Sequence, residues 1–168
     1  MILSGDIDLA FMVLPDRHQD ITYEVLSEEE LMLIMSPEHS LAKEGITKEG
    51  CKYPWMDMAK LKDEQFILQW PDQRTRQTTD KIFRDVGIKP NIILTIRNIY
   101  AAVELAADNY GLTFVSEAPF RYIQTRVRPL CFSVGNPNTI FNLTAAYHRN
   151  VYLPLYTQEF INILKVSI

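Results

Sequence analysis

Between residues 65 and 115 the chain switches repeatedly between short apolar runs and helical stripes, and this order limits its fold more than any other feature. Residues 65–69 (QFILQ) read as a strand, closed by Trp70 and Pro71. Residues 75–86 read as a helix with Ile82, Phe83 and Val86 on one apolar stripe. Gly87 and Pro90 end it, because glycine takes the left-handed residue after a helix and proline cannot continue one. Residues 92–96 (IILTI) are β-branched and apolar, hence a strand. Asn98 can cap a second helix, with Ile99, Val103, Ala106 and Ala107 as its buried stripe and Gly111 as its end. Residues 112–115 (LTFV) form the next strand. Strands alternating with helices in this way argue for an α/β domain with a largely parallel sheet.

The flanking segments carry weaker signals. Residues 7–13 (IDLAFMV) are nearly continuously apolar, which suits a strand buried on both faces; Pro15 and Asp16 break it. Residues 23–26 and 31–35 read as two strands separated by Glu28, Glu29 and Glu30, and Pro37 ends the second. Residues 43–64 are polar and mixed, a loop with one short helix. A short helical turn is expected over 118–123, and strands over 130–134 and 141–147 around the turn Gly135-Asn136-Pro137-Asn138. A last helix is expected over 155–164, with Pro154 in its first turn and Tyr156, Phe160 and Leu164 on one face.

Composition excludes several function classes. With a formal net charge of -4 the chain has no electrostatic footprint for nucleic acid, which demands a basic surface to replace phosphate counterions. The cationic cluster Arg74, Arg76, Lys81 and Arg84 is interleaved with Asp72, Asp80 and Asp85 and reads as a solvated helix face. No apolar run approaches the ~20 residues that span a bilayer. The first residues lack a positive n-region, with acids at Asp6 and Asp8, so no export signal is expected. Cys51 and Cys131 lack metal-ligand spacing and read as reduced thiols of a cytoplasmic protein. His18, His39 and His148 are scattered, so no metal or cofactor is expected. There is no phosphate-binding glycine loop, no dinucleotide fingerprint and no nucleophile elbow, and the expectation is that the chain is not an enzyme.

Six fragments, in order, point further. Residues 5–11 (GDIDLAF) resemble a G-[DE]-L-D-[LV]-A-[IF] strand. Residues 31–42 resemble a strand followed by P-x-x-H-P-L-A, with Ser40 for the second proline. Residues 61–67 (LKDEQFI) resemble D-L-x-D-x-P-F-I, with Gln65 for proline. Arg76, Phe83, Gly87 and Pro90 fit R-x(6)-F-x-x-x-G-x-x-P. Residues 103–115 resemble V-A-A-G-x-G-[IV]-[AT]-x-[LV]-P, with Ser116 where the proline stands. Residues 146–161 resemble Y-R-K-x-x-Y-L followed by F-I. Together these resemble the effector-sensing domain of LysR-type transcription regulators. The resemblance implies a type II periplasmic-binding-protein-like fold of two α/β lobes with a small effector in the cleft. Lobe II is then nearly complete and lobe I only partial: residues 1–30 are a remnant of lobe I, 31–145 are lobe II, and 146–168 return to lobe I. It also implies that DNA contact belongs to a helix-turn-helix head absent from this chain. Missing lobe I strands would leave an unpaired sheet edge that recruits another chain, so a homo-oligomer is expected.

Carried over by motif, the effector-binding candidates are Leu14, Pro15, Trp70, Arg74, Arg76, Asn98, Ile99, Thr113 and Phe114. Ligands of open α/β sheets bind at strand carboxyl ends, a helix N-terminus at Asn98 offers amides to an anion, and Arg76 could clamp a carboxylate. Each has a plainer reading. Asn98 serves as a cap, Arg76 is a surface residue, Trp70 packs between elements, Thr113 bonds within the core, and His39 belongs to a turn. The competing function is a solute-binding protein of the same fold.

Overall fold

The structure is a computed structural model that describes residues 1–14 and 17–167. It divides into two compact units: residues 1–29 with 140–168, and residues 30–139. Residues 140–145 fall in the first unit.

Unit 2 holds the strand–helix alternation. Its strands and helices are β3 (Gln65–Gln69), α1 (Arg74–Val86), β4 (Asn91–Ile96), α2 (Ile99–Ala107), β5 (Thr113–Ser116), α3 (Glu117–Phe120) and β6 (Leu130–Ser133). A single 3-10 turn, Met58–Leu61, interrupts the polar stretch before β3. β3 and β4 are parallel, and Phe66 bridges Leu112 in the parallel sense just before β5. The C-terminal half of β2 (Ile21–Met35) lies antiparallel to β5 on one side and to β6 on the other. The sheet is thus mixed rather than largely parallel. Only the segments joined by helical crossovers run parallel; β2 and β6 arrive through loops and pair in the opposite sense.

Two apolar layers sandwich this sheet. On one face Phe66, Phe83 and Phe114 meet edge-on and stacked, with ring centroids 4.9 to 6.2 Å apart. On the other, Met32, Ile34 and Val115 pack under Val103 and Ala106 of α2. The helix stripes explain both. Thr79, Ile82 and Phe83 bury one side of α1, and Ala102, Val103, Ala106 and Ala107 one side of α2. Gly87 closes α1 in the left-handed region at φ 76°, with Ile88 N–H returning to the Phe83 carbonyl at 2.9 Å. α2 ends earlier than expected. Asn109, at φ 64°, takes the left-handed position, and Gly111 serves instead where an added Cβ would come within 3.1 Å of the Gln65 carbonyl.

The acids between the two expected strands do not break the chain, since β2 is one strand of 15 residues. Glu30 is fully buried because tertiary partners receive it. Its N–H donates to Glu117 Oε2 at 2.9 Å, and its Oε2 accepts the Lys52 N–H at 3.1 Å.

Unit 1 contains β1 (Ala10–Val13), β7 (Ile140–His148), the N-terminal half of β2 and α4 (Leu155–Ser167). β1 is shorter than the apolar run, and it pairs antiparallel with β7 at one end of the strand order. It is not buried on both faces, since Phe11 is 41% exposed and Met12 38%. α4 also departs from expectation. Ile161 and Leu164 face the core beside Leu26, Ala145 and Leu153, whereas Tyr156 and Phe160 point outward. Phe160 meets Phe11 edge-on at 5.7 Å.

Candidate functional site

β3, β4 and β5 end on the same edge of unit 2, because all three run in one direction. α1 and α2 begin immediately beyond the ends of β3 and β4. Carboxyl strand ends and helix N-termini therefore converge there, the place where open α/β sheets take ligands.

Several sequence candidates gather at this edge. Trp70 follows β3, is 45% exposed, and donates its N–H to Gln73 Oε1 at 3.2 Å. Arg97, at the end of β4, lies over the Trp70 ring at 4.7 Å and pairs with Asp72 at 3.0 Å. Asn98 caps α2 through Oδ1, accepting from Tyr100 N–H at 2.9 Å and Ala101 N–H at 3.3 Å. Ile99 is half-buried against the apolar layer beneath α2. Thr113 is buried, and its Oγ1 accepts from Gln69 Nε2 at 3.4 Å. Arg74 opens α1 on the exposed side.

Other candidates do something else. The Arg76 guanidinium, expected to grip a carboxylate from outside, is spent within the protein. Nε donates to Asp80 Oδ1 at 2.8 Å and Nη1 to the Gln69 carbonyl at 2.9 Å, which ties the end of β3 to α1. Phe114 points away from the open edge into the aromatic layer, because strand alternation places it opposite Thr113. Leu14 belongs to unit 1, where its N–H donates to the Asn142 carbonyl at 2.7 Å. Pro15 lies outside the described residues. His39 keeps its turn role: Nδ1 accepts the Leu41 N–H at 3.2 Å and Nε2 faces Glu64 at 3.3 Å.

Sequence reading passed over three groups at the same edge. Arg97 stands one residue before the cap, a position where a cation with a neighbouring aromatic is a usable signal. Gln69 closes β3, 1% exposed, after three apolar residues. Its Nε2 donates to the Phe114 carbonyl at 3.0 Å, and its Oε1 accepts from nothing. Among the described residues three other buried side-chain oxygens also lack a partner, on Ser27, Glu30 and Asn142, but none of them closes one of these three strands. A glutamine in that register is the visible clue; its missing partner is tertiary.

The third group is Glu117, just beyond β5. Lys52 Nζ donates to Oε2 at 2.7 Å, Glu30 N–H to the same oxygen, and Tyr53 O–H to Oε1 at 3.1 Å. Burial pushes the Glu117 carboxyl up, but these hydrogen bonds and the Lys52 charge outweigh it and hold the group below its ordinary value. Burial, and then the Glu117 charge, push the Tyr53 hydroxyl up to about 12. Burial likewise raises the Cys131 thiol to about 11, which leaves it a poor nucleophile. Among the described residues no cluster of His, Cys, Asp and Glu could hold a metal ion, and no helix is long and apolar enough to cross a membrane.

An α/β body with an open strand edge and the Asn98-capped start of α2 is a framework suited to holding a small molecule. The family model of the LysR substrate binding domain matches residues 1–167, and the chain belongs to that family. The RuBisCO operon transcriptional regulator of Allochromatium vinosum is 25% identical over 116 residues, which are 69% of this chain and 35% of that protein. The chain therefore spans about a third of the curated relatives it matches. The regulatory domain of CcmR from Synechocystis PCC6803, in complex with 2-PG, has a similar structure: TM-score 0.80, 18% identity, covering 99% of this chain and 76% of that one. The effector binding domain of QuiR in complex with shikimate gives TM-score 0.72, 20% identity, and coverage of 99% and 74%. The fold is the type II periplasmic-binding-protein-like fold, as the motifs had implied.

Proposed function

We propose that this chain is the effector-binding module of a cytoplasmic LysR-type transcription regulator. It takes a small metabolite at the edge of unit 2 where β3, β4 and β5 end. The observation that carries this reading is the convergence of three strand ends, the capped start of α2 and the half-exposed Trp70–Arg97 pair at one place. Trp70, Asn98, Ile99 and Thr113 remain the effector residues of the reading, with Gln69 and Arg97 added. Arg74 is a charged neighbour. Arg76 and Phe114 act by holding β3 and β5 in place. An anionic effector is favoured, since Arg97 and the α2 amides concentrate positive potential there. DNA contact falls to a separate head, in keeping with the net charge of -4 on this chain. The relatives are regulators of transcription, which supports this reading over a transport receptor of the same fold.

A thermal-shift series with small carboxylic acids tests it. A ligand at 100 times its dissociation constant should add about 2.7 kcal/mol of stability. The expected result is a dose-dependent rise with one chemical class that is lost in Trp70→Ala. A cooperative melt that no acid moves would refute ligand binding by this chain.

A further inference from the structure

We infer that the ligand of this edge is a hydroxy acid, and that Gln69 is the residue that reads its hydroxyl group. The inference rests on the effector-binding reading and names the ligand class of that same site.

The Gln69 side chain is buried and half-satisfied. Its amide orientation is not free. Nε2 faces the Phe114 carbonyl at 3.0 Å, and a backbone carbonyl can only accept. Turning the amide over would set two oxygens against each other. Oε1 is therefore the atom directed away from β5, and it is an acceptor with no donor. A buried acceptor without a donor forfeits its hydration with no return. The three residues before it, Phe66, Ile67 and Leu68, are apolar and buried, and the Phe114 carbonyl accounts for Nε2 but not for Oε1. A donor from outside the chain does.

The position says which ligand brings that donor. Gln69 shares a sheet face with Thr113, which its Nε2 touches, and Thr113 alternates with Val115 beneath α2. Gln69 is thus on the α2 face, at the strand end where α2 starts. Asn98 Oδ1 occupies the Tyr100 and Ala101 amides, and the Ile99 N–H stands outside that cap. Arg97 stands one residue earlier, paired with Asp72 at 3.0 Å and exposed, so an incoming carboxylate would share it with that acid. A carboxylate suits the helix start and Arg97, while a hydroxyl hydrogen suits Gln69 Oε1. A hydroxy acid combines the two groups in one small molecule. An acid without a hydroxyl would leave the buried oxygen as it is.

The test uses matched pairs by isothermal titration of the full chain: malate against succinate, and 3-hydroxybutyrate against butyrate. The hydroxylated member of at least one pair should bind about tenfold or more tightly. In Gln69→Met, which keeps the volume and removes both the acceptor and the Nε2 donor to the Phe114 carbonyl, that preference should fall below about twofold. The variant's circular dichroism should match the wild type. Equal affinity within both pairs, or a preference that survives Gln69→Met, overturns the role of Gln69 and leaves the effector site standing. Failure of all four acids, together with no thermal shift from any carboxylate, overturns both.

Discussion

Side chains here are decided by their partners more than by their type. Glu117 joins Lys52, Tyr53 and the Glu30 amide, and its carboxyl is held low because these donors outweigh its burial. The folded-state value lies below the unfolded one, so the carboxylate's contribution is complete above the unfolded value, near pH 4 to 5, and is lost as pH falls through the folded one. Urea melts should therefore show a Glu117→Ala deficit of about 1–3 kcal/mol at pH 7, from the donors left unpaired, that narrows as the pH drops toward ~3. A deficit constant with pH would show that the charge adds nothing. Arg76 makes the same point from the other side. Motif placement offered it to a ligand, but whether an arginine reaches outward depends on Asp80 and on the Gln69 carbonyl, seven residues back on another element.

The elements follow local rules wherever one stripe meets one sheet face. α1 and α2 were legible because apolar residues at helical spacing, a left-handed Gly87 and the Asn98 cap agree. The strand β2 was not, since three consecutive glutamates read as a break until Lys52 and Glu117 are brought beside Glu30. The choice of stripe on α4 was also hidden. Tyr156, Phe160 and Leu164 look like the buried face by spacing, yet Ile161 and Leu164 are the residues that meet Leu26 and Ala145. The aromatic layer ties three elements together, so Phe83→Ala should cost about 3–5 kcal/mol by equilibrium denaturation. A loss below ~1 kcal/mol would mean that the layer collapses around the cavity and is not a rigid packing unit.

For the whole molecule the two units are unequal. Most fully buried side chains belong to residues 30–139, while unit 1 closes on a small cluster around Leu26, Ala145, Leu153 and Ile161. β1 has β7 as its only strand neighbour among the described residues, with Phe11 and Met12 partly exposed on it. An unpaired strand edge recruits another chain. The expected solution state is a concentration-dependent dimer or larger species, visible as a sedimentation mass above 19.5 kDa, and Met12→Lys should shift it toward monomer. A monomer at every concentration would refute self-association through this edge. The sequence by itself determined the alternation of strands and helices, the caps at Asn98 and Gly87 and the family, because period, capping and motif order are local in the chain. Tertiary structure alone decided the mixed sheet sense, the single long β2, the burial of Phe114, the internal pairing of Arg76, and the unmatched oxygen of Gln69. Each of these depends on a group from a distant segment, and hydrogen-bond satisfaction and burial are defined only once those segments meet.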